Sequence, residues 1–200
     1  MPTVLNVGGG SKAIEIPRHY QGWEQVLLDI DPRGGADIVG DARQLLTVSS
    51  PEAYDAIYCS HNLEHYYPHD GERVLEGFLH ILKPEGFAEI RVPDFWEVIQ
   101  DASRRGLDLE DQLYVSPMGP IRVLDCIYGL QQEIAGTGKD YYAHKTAFSA
   151  VSLERALRRA GFPAVFRGSP LAAYELRVFA FKRPSDAIQR AMLGISETPP

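Results

Sequence analysis

A chain of 200 residues, 44% hydrophobic and 24% charged, is long enough for one domain with a sizeable core and has an ordinary composition for a soluble globular protein. Its net charge of −7 argues against a nucleic-acid partner, whose phosphates call for clustered Lys and Arg. Cys59 and Cys126 lie too far apart for metal-type spacing, no apolar run reaches membrane-spanning length, and nothing resembles a signal peptide. The expectation is a cytoplasmic protein that makes no membrane contact.

Thr3–Val7 reads as a short buried strand that breaks into Gly8-Gly9-Gly10-Ser11. Glycine there permits positive φ and lets a ligand lie directly on the backbone. Amides of such a turn, feeding a helix N-terminus, suit a polar or anionic group. A short helix is expected over residues 12–17, ended by Pro17. Residues 24–30 form a second strand closed by Asp29, Asp31 and Pro32, and residues 36–39 a third, followed by Gly40-Asp41. The fourth strand covers residues 54–59. Asp70 is the expected N-cap of a helix through Leu82, with Val74, Phe78 and Leu82 as its stripe beside Leu75 and Leu79. Lys83-Pro84-Glu85-Gly86 stops that helix and leads into a fifth strand over 87–92.

After Pro93-Asp94 the rhythm changes. Two helices are expected at Phe95–Arg105 and 120–135, then a helix capped by Ser149 that runs to Ala160 with Gly161 beyond it. Two last strands, Ala164–Gly168 and 174–182, have no helix between them and should form an antiparallel hairpin. A weakly amphipathic tail occupies 184–200. The alternation predicts a single α/β domain over 1–200, its mostly parallel sheet covered on both faces. Ligands in such sheets bind at the carboxyl ends of the strands, where Asn6, Asp29, Asp41, Ser60 and Asp94 fall.

Taken together, these motifs resemble the class I S-adenosylmethionine-dependent methyltransferases over most of the chain. The resemblance implies a doubly wound, Rossmann-like sheet of seven strands, mostly parallel with an antiparallel C-terminal strand, and a helical insertion or lid over residues 95–142. In that family the glycine turn, here Gly8, Gly9 and Gly10, packs on the methionine part of the cofactor. An acid ending strand two hydrogen-bonds both ribose hydroxyls, matching Asp29 beside Ile30. An acid after strand three contacts the adenine amine, matching Asp41 beside Ala42. Ser60, His61 and Asn62 leave strand four on the methionine side, and the Leu-Lys-Pro-x-Gly turn recurs as Leu82–Gly86 in this chain. Where the family usually has an acid before the glycines, this chain has Asn6. It can accept a hydrogen bond but forgoes about 1 kcal/mol of attraction for a sulfonium cation.

Two competing patterns share these residues. Gly8-Gly9-Gly10-Ser11-Lys12-Ala13 satisfies the dinucleotide fingerprint G-x-G-x-x-G/A, with Asp29 at the expected distance. Against a nicotinamide or flavin site stand the early Pro17 and the lack of a second mononucleotide-binding half or a separate substrate domain. His61-Asn62-Leu63-Glu64-His65 matches H-x-x-E-H, in which two histidines one helical turn apart bind zinc. That chemistry needs a stable helix, whereas this segment follows a strand and meets Pro68. His69 and Asp70 are further candidate ligands, but the expectation is no metal.

The methyltransferase reading instead makes this segment the floor of an active site, with His65, Tyr66, Tyr67 and His69 near its mouth. Methyl transfer is an in-line displacement that asks the protein to align the acceptor and exclude water, and a hydroxyl acceptor also benefits from a base. His144, in Tyr141-Tyr142-Ala143-His144-Lys145, is the first candidate and His65 the second; a similar stretch occurs in small-molecule and sugar-type members of the superfamily. The insertion, with Phe95, Trp96, Ile99, Leu124, Ile127, Tyr128 and Leu130, is expected to roof the site or to form a homodimer interface, Trp96 and Tyr128 being core residues of it. The expected function is transfer of a methyl group from S-adenosylmethionine to a small-molecule oxygen or nitrogen. The alternatives are a non-catalytic cofactor-binding protein, suggested by Asn6, and then an NAD(P)-dependent oxidoreductase.

Overall fold

The computed structural model describes residues 1–116 and 119–195. In chain order its strands are β1 (Thr3–Val7), β2 (Glu24–Asp29), β3 (Ile38–Val39), β4 (Tyr54–Ser60), β5 (Leu82–Pro93), β6 (Gln112–Ser116), β7 (Gly119–Arg122), β8 (Ala164–Gly168) and β9 (Glu175–Phe181). Its helices are α1 (Leu45–Val48), α2 (Pro68–Ile81), α3 (Phe95–Arg105), α4 (Val123–Tyr128), α5 (Gln131–Thr137), α6 (Ala150–Arg159) and α7 (Ala187–Met192). The main sheet has seven strands in the order β3-β2-β1-β4-β5-β9-β8. β9 is antiparallel to both β5 and β8, while the pairs from β3 across to β5 are parallel. This is the expected Rossmann-like arrangement, with the switch in strand order between β1 and β4, where a crevice opens at the carboxyl ends.

One sheet face carries the larger core. α2 lays Val74, Leu75, Phe78 and Ile81 against Leu5, Ile57 and Ile90, and α6 adds Leu153 and Leu157. α2 starts at Pro68, two residues before the expected Asp70 cap. Proline belongs in a first helical turn, where an N–H would have no partner, so it opens this helix instead of blocking it. Asp70 then lies in that turn, where the helix dipole favours an acid. Ser149 caps α6 as expected, in a reciprocal pair with Ser152, and Gly161 follows at φ +103°.

The opposite face is covered more thinly. Tyr20, Leu193 and Ile195 close over Val4, Tyr58, Phe87, Phe179 and Phe181. The helix expected at 12–17 does not form: turns join Ser11 to Gly9 and Ile14 to Ser11, and a 3-10 turn follows at Arg18–Tyr20. Six residues between a glycine turn and a proline cannot repay helix nucleation. Among the described residues, no helix N-terminus therefore follows directly on the glycine turn.

The insertion departs further from expectation. Residues 120–135 are not one helix, because β6 and β7 form an antiparallel hairpin and Gly129, at φ +87°, separates α4 from α5. The buried Asp125 side chain accepts from the amides of Arg122 and Gln131 across that break. A small cluster of Val98, Ala102, Leu113, Ile121, Val123 and Cys126 forms the insertion's own core. Trp96 and Tyr128, expected within it, are 58% and 56% exposed. Among the described residues no helix is long and apolar enough to cross a membrane.

The 3-10 turn Pro32–Gly34 packs directly on the glycine turn after β1. A Cβ on Gly34 would stand 1.6 Å from the Gly10 carbonyl oxygen, so any larger residue must push backbone apart. Gly34→Ala should cost about 2 kcal/mol, the usual scale of overpacking, and lower the melting midpoint by about 4–8 °C in calorimetry. An unchanged midpoint would mean that the turn is free to lift away.

Candidate active site

The carboxyl ends of β1 to β4 and the residues that leave the insertion enclose a cavity of about 750 Å³. Gly8 and Gly10 form one wall, both at positive φ. A Cβ on Gly8 would lie 2.1 Å from the Asn62 amide nitrogen, so only glycine lets the turn lie against Asn62. Asp29 sits beside them, 8% exposed, with Oδ2 accepting from Gly10 N at 2.9 Å and Oδ1 from Asp31 N at 2.8 Å. Two backbone donors thus fix the carboxylate while its remaining lone pairs stay available.

Asp41 lines the cavity from the end of β3 and caps the next 3-10 turn by accepting from Arg43 N at 3.0 Å. Burial opposes its charge, but the Arg43 guanidinium and amide prevail and hold the carboxyl below its usual range. Opposite, Asp31 accepts from Lys139 Nζ and from the Tyr141 hydroxyl, both at 3.0 Å, tying the insertion down to the end of β2. Arg33, then Lys139, hold its carboxyl far below the ordinary value. Tyr141, Tyr142 and Lys145 complete this side of the wall.

The floor comes from the segment after β4. His61 has φ +49° and places Nε2 3.3 Å from Glu175 and Nδ1 3.5 Å from Glu64. Burial disfavours its charge, but the two carboxylates outweigh that and raise its pKa to about 9. Leu63–His65 is a 3-10 turn, not part of an α-helix, so the helical zinc-protease geometry does not arise. His69 is largely exposed, stacked on Tyr67, and Asp70 pairs with Arg43.

Glu64 and His65 instead meet His144. Lys145 N and Thr146 N both donate to the Glu64 carbonyl, at 2.8 and 3.1 Å, and the Thr146 hydroxyl donates to the Tyr66 carbonyl at 2.6 Å. This clamp brings the His65 and His144 rings to 5.1 Å. His65 lines the cavity, whereas His144, the first catalytic candidate from sequence, is not among its lining residues. Burial pushes the His144 pKa below its ordinary value, against the pull of Glu64.

A family model described as a methyltransferase domain matches residues 2–165. The chain belongs to that family. No curated protein matches the sequence significantly. Among solved structures, an S-adenosylmethionine-dependent methyltransferase from Archaeoglobus fulgidus superposes with a TM-score of 0.57 at 14% identity, over 90% of this chain and 86% of the other. A 1,6-didemethyltoxoflavin-N1-methyltransferase from Burkholderia thailandensis, solved with its substrate and S-adenosylhomocysteine, gives 0.53 at 17% identity, over 92% and 72%. A methyltransferase from Thermotoga maritima gives 0.54 at 16%, over 92% and 83%. At such identities the likeness is one of fold.

The cavity of this methyltransferase fits the S-adenosylmethionine that the sequence motifs imply. Gly8 and Gly10 present bare backbone to the cavity, and the fixed carboxylate of Asp29 stands beside them. Of the cofactor residues expected from sequence, Gly8, Gly10, Asp29, Ile30, Asp41 and His61 line the cavity. Asn6, Gly9, Ala42 and Ser60 are not among its lining residues. Asn6 is buried beneath Gly9, whose Cβ would fall 2.2 Å from it, and its Oδ1 finds no partner among the described residues. Ala42 is 1% exposed and packs into the core below α2. Sequence reasoning passed over Tyr142, Lys145 and Arg43 as wall residues; the Tyr-Tyr-x-His-Lys run was the available signal for the first two.

Proposed function

We propose that this methyltransferase methylates an oxygen or nitrogen of a small-molecule acceptor. The observation that carries the reading is the docking of the insertion on the rim of the cavity. Asp31 accepts from Lys139 and Tyr141 there, so the insertion covers one side of a cavity of about 750 Å³, a size suited to a cofactor and a compact acceptor. The insertion then serves as a roof that keeps water out.

The cofactor, when bound, supplies an electrophilic methyl group on sulfur. Gly8, Gly10, Asp29 and Asp41 hold and orient it, and Tyr66, Tyr142 and His65 shape the acceptor end of the same cavity. A hydroxyl or amine acceptor would have to give up a proton on methylation. The cluster of Glu64, His65 and His144 provides the adjoining acid–base capacity, with His65 at the wall. Buried, unbridged Cys59 and Cys126 suit a reducing cytoplasm.

Calorimetric titration with S-adenosylmethionine, S-adenosylhomocysteine and NAD tests the cofactor, with binding expected for both sulfur compounds and none for NAD. NAD binding alone would overturn the reading. Incubation with hydroxyl- and amine-bearing small molecules should then release S-adenosylhomocysteine. If both sulfur compounds bind and no acceptor of any size turns over, the chain is a cofactor-binding protein without catalysis.

A further inference from the structure

We propose that Glu64, His65 and His144 bind a divalent metal ion of the zinc class at the acceptor end of the cavity. Their candidate ligand atoms all lie within 4.8 Å of one another. Glu64 is 2% exposed and neither of its carboxylate oxygens completes a hydrogen bond among the described residues; the His61 ring, which also faces Glu175, approaches it only to 3.5 Å. A buried carboxylate held by one long contact keeps lone pairs free for a further cation.

The two imidazoles are arranged in a way that answers this. His65 Nδ1 lies 3.1 Å from the Ala143 carbonyl and His144 Nδ1 lies 2.9 Å from the Cys126 carbonyl. A carbonyl only accepts, so each Nδ1 carries hydrogen and Nε2 is the ring atom left to ligate a metal. A backbone carbonyl that fixes one ring nitrogen is the usual support of a metal-bound histidine. Two imidazoles and a buried carboxylate with free lone pairs thus gather three metal-ligating groups in one place.

Two imidazoles and a carboxylate suit zinc, cobalt, nickel or iron(II) rather than magnesium or calcium. With metal–ligand distances of about 2.0–2.2 Å the ligand atoms would stand roughly 3.3 Å apart, so the side chains must close in by rotation on binding. The backbone clamp from Lys145 and Thr146 to Glu64 already holds their main chains together. Three protein ligands leave a position open, and His65 borders the cavity. An acceptor oxygen or nitrogen bound there would be held in line and acidified, its proton passing to water as the methyl bond forms. This deepens the small-molecule reading and rests on it for the acceptor's place; with the ion bound, the three side chains serve as ligands in place of their acid–base role.

The test uses the full chain, stripped with a chelator and dialysed. Calorimetry with Zn2+ should give one site per chain, Co2+ should develop a visible absorption band of low coordination number, and X-ray absorption of the zinc-loaded wild type should carry the scattering of two imidazoles. His65→Ala and His144→Ala should each weaken Zn2+ by at least about 100-fold, with circular dichroism to verify folding. Absence of Zn2+ and Co2+ binding by the folded wild type would overturn the proposal. So would a zinc site without imidazole scattering, or one unmoved by the two substitutions. S-adenosylhomocysteine is titrated into stripped protein in parallel. Binding there with no metal site removes only this inference, and failure to bind removes the cofactor reading instead.

Discussion

Asp29→Ala should weaken S-adenosylmethionine and S-adenosylhomocysteine binding by about 10²- to 10³-fold in calorimetry, with little change in melting midpoint. The resemblance assigns both ribose hydroxyls to this carboxylate, and hydrogen bonds to a charged group contribute about 1.5–3 kcal/mol each. Even at the lower end, two such bonds amount to about 3 kcal/mol, a factor of more than 100. Burial strengthens the case, because Asp29 is 8% exposed and held by Gly10 N and Asp31 N before any ligand arrives. The substitution also frees those two amides at a cavity wall, where water can reach them, so the cost to folding stays near 1 kcal/mol. Asp29→Asn retains one acceptor oxygen and should fall between, at about 10-fold. Unchanged affinity in Asp29→Ala would move the ribose to another part of the wall, with Asp31 the neighbouring carboxylate.

The glycine-turn side of the cavity was legible because a parallel sheet turns chain order into geometry. Once Thr3–Val7, Glu24–Asp29 and Ile38–Val39 are read as strands, their ends must share one edge, so Gly8, Asp29 and Asp41 converge without knowledge of any long-range contact. The meeting of Glu64, His65 and His144 was not legible in that way. Glu64 meets His144 only because the backbone of Lys145 and Thr146 docks on the Glu64 carbonyl, a pairing that no local pattern encodes. Residues 120–135 misled for a different reason: Ile121, Val123, Leu124 and Ile127 fit helical spacing, but their alternating subset also fits a strand end. Gly129, at φ +87°, then breaks the run. Trp96 and Tyr128 were expected inside because they are large and aromatic. The insertion is too thin to enclose them and packs on smaller residues such as Ala102 and Cys126. At 12–17 the same lesson runs in reverse, since residues with helical propensity lack the length to use it.

The largest expected loss of stability lies away from the cavity, on the thinly covered sheet face. Glu89 on β5 is 0% exposed and Arg177 on β9 is 9% exposed. Arg177 Nε donates to Glu89 Oε1 at 2.7 Å, while His19 Nε2 and the Tyr20 hydroxyl lie 2.7 and 3.0 Å from Oε2. Glu89→Leu would leave a buried guanidinium without its counter-charge and should cost about 3–5 kcal/mol, against a usual total of 5–15. In a domain of this size that lowers the melting midpoint by roughly 6–20 °C. Arg177→Met should cost as much for the converse reason. The double variant should recover most of the loss, because it removes both desolvated charges and leaves apolar volume beside Phe87 and Phe179, a coupling of 2 kcal/mol or more in the cycle. The pH dependence follows from the same contacts. Burial raises the Glu89 pKa, but His19 and Arg177 outweigh it and hold the carboxyl below its ordinary value. Its contribution is therefore complete above the unfolded glutamate pKa of about 4.3 and is lost as pH falls through the lower folded value. Urea unfolding at pH 7 and pH 3 should show wild type losing more stability over that interval than the double variant. Additive single costs with equal acid slopes would mean that water, not burial, sets the energy of this pair.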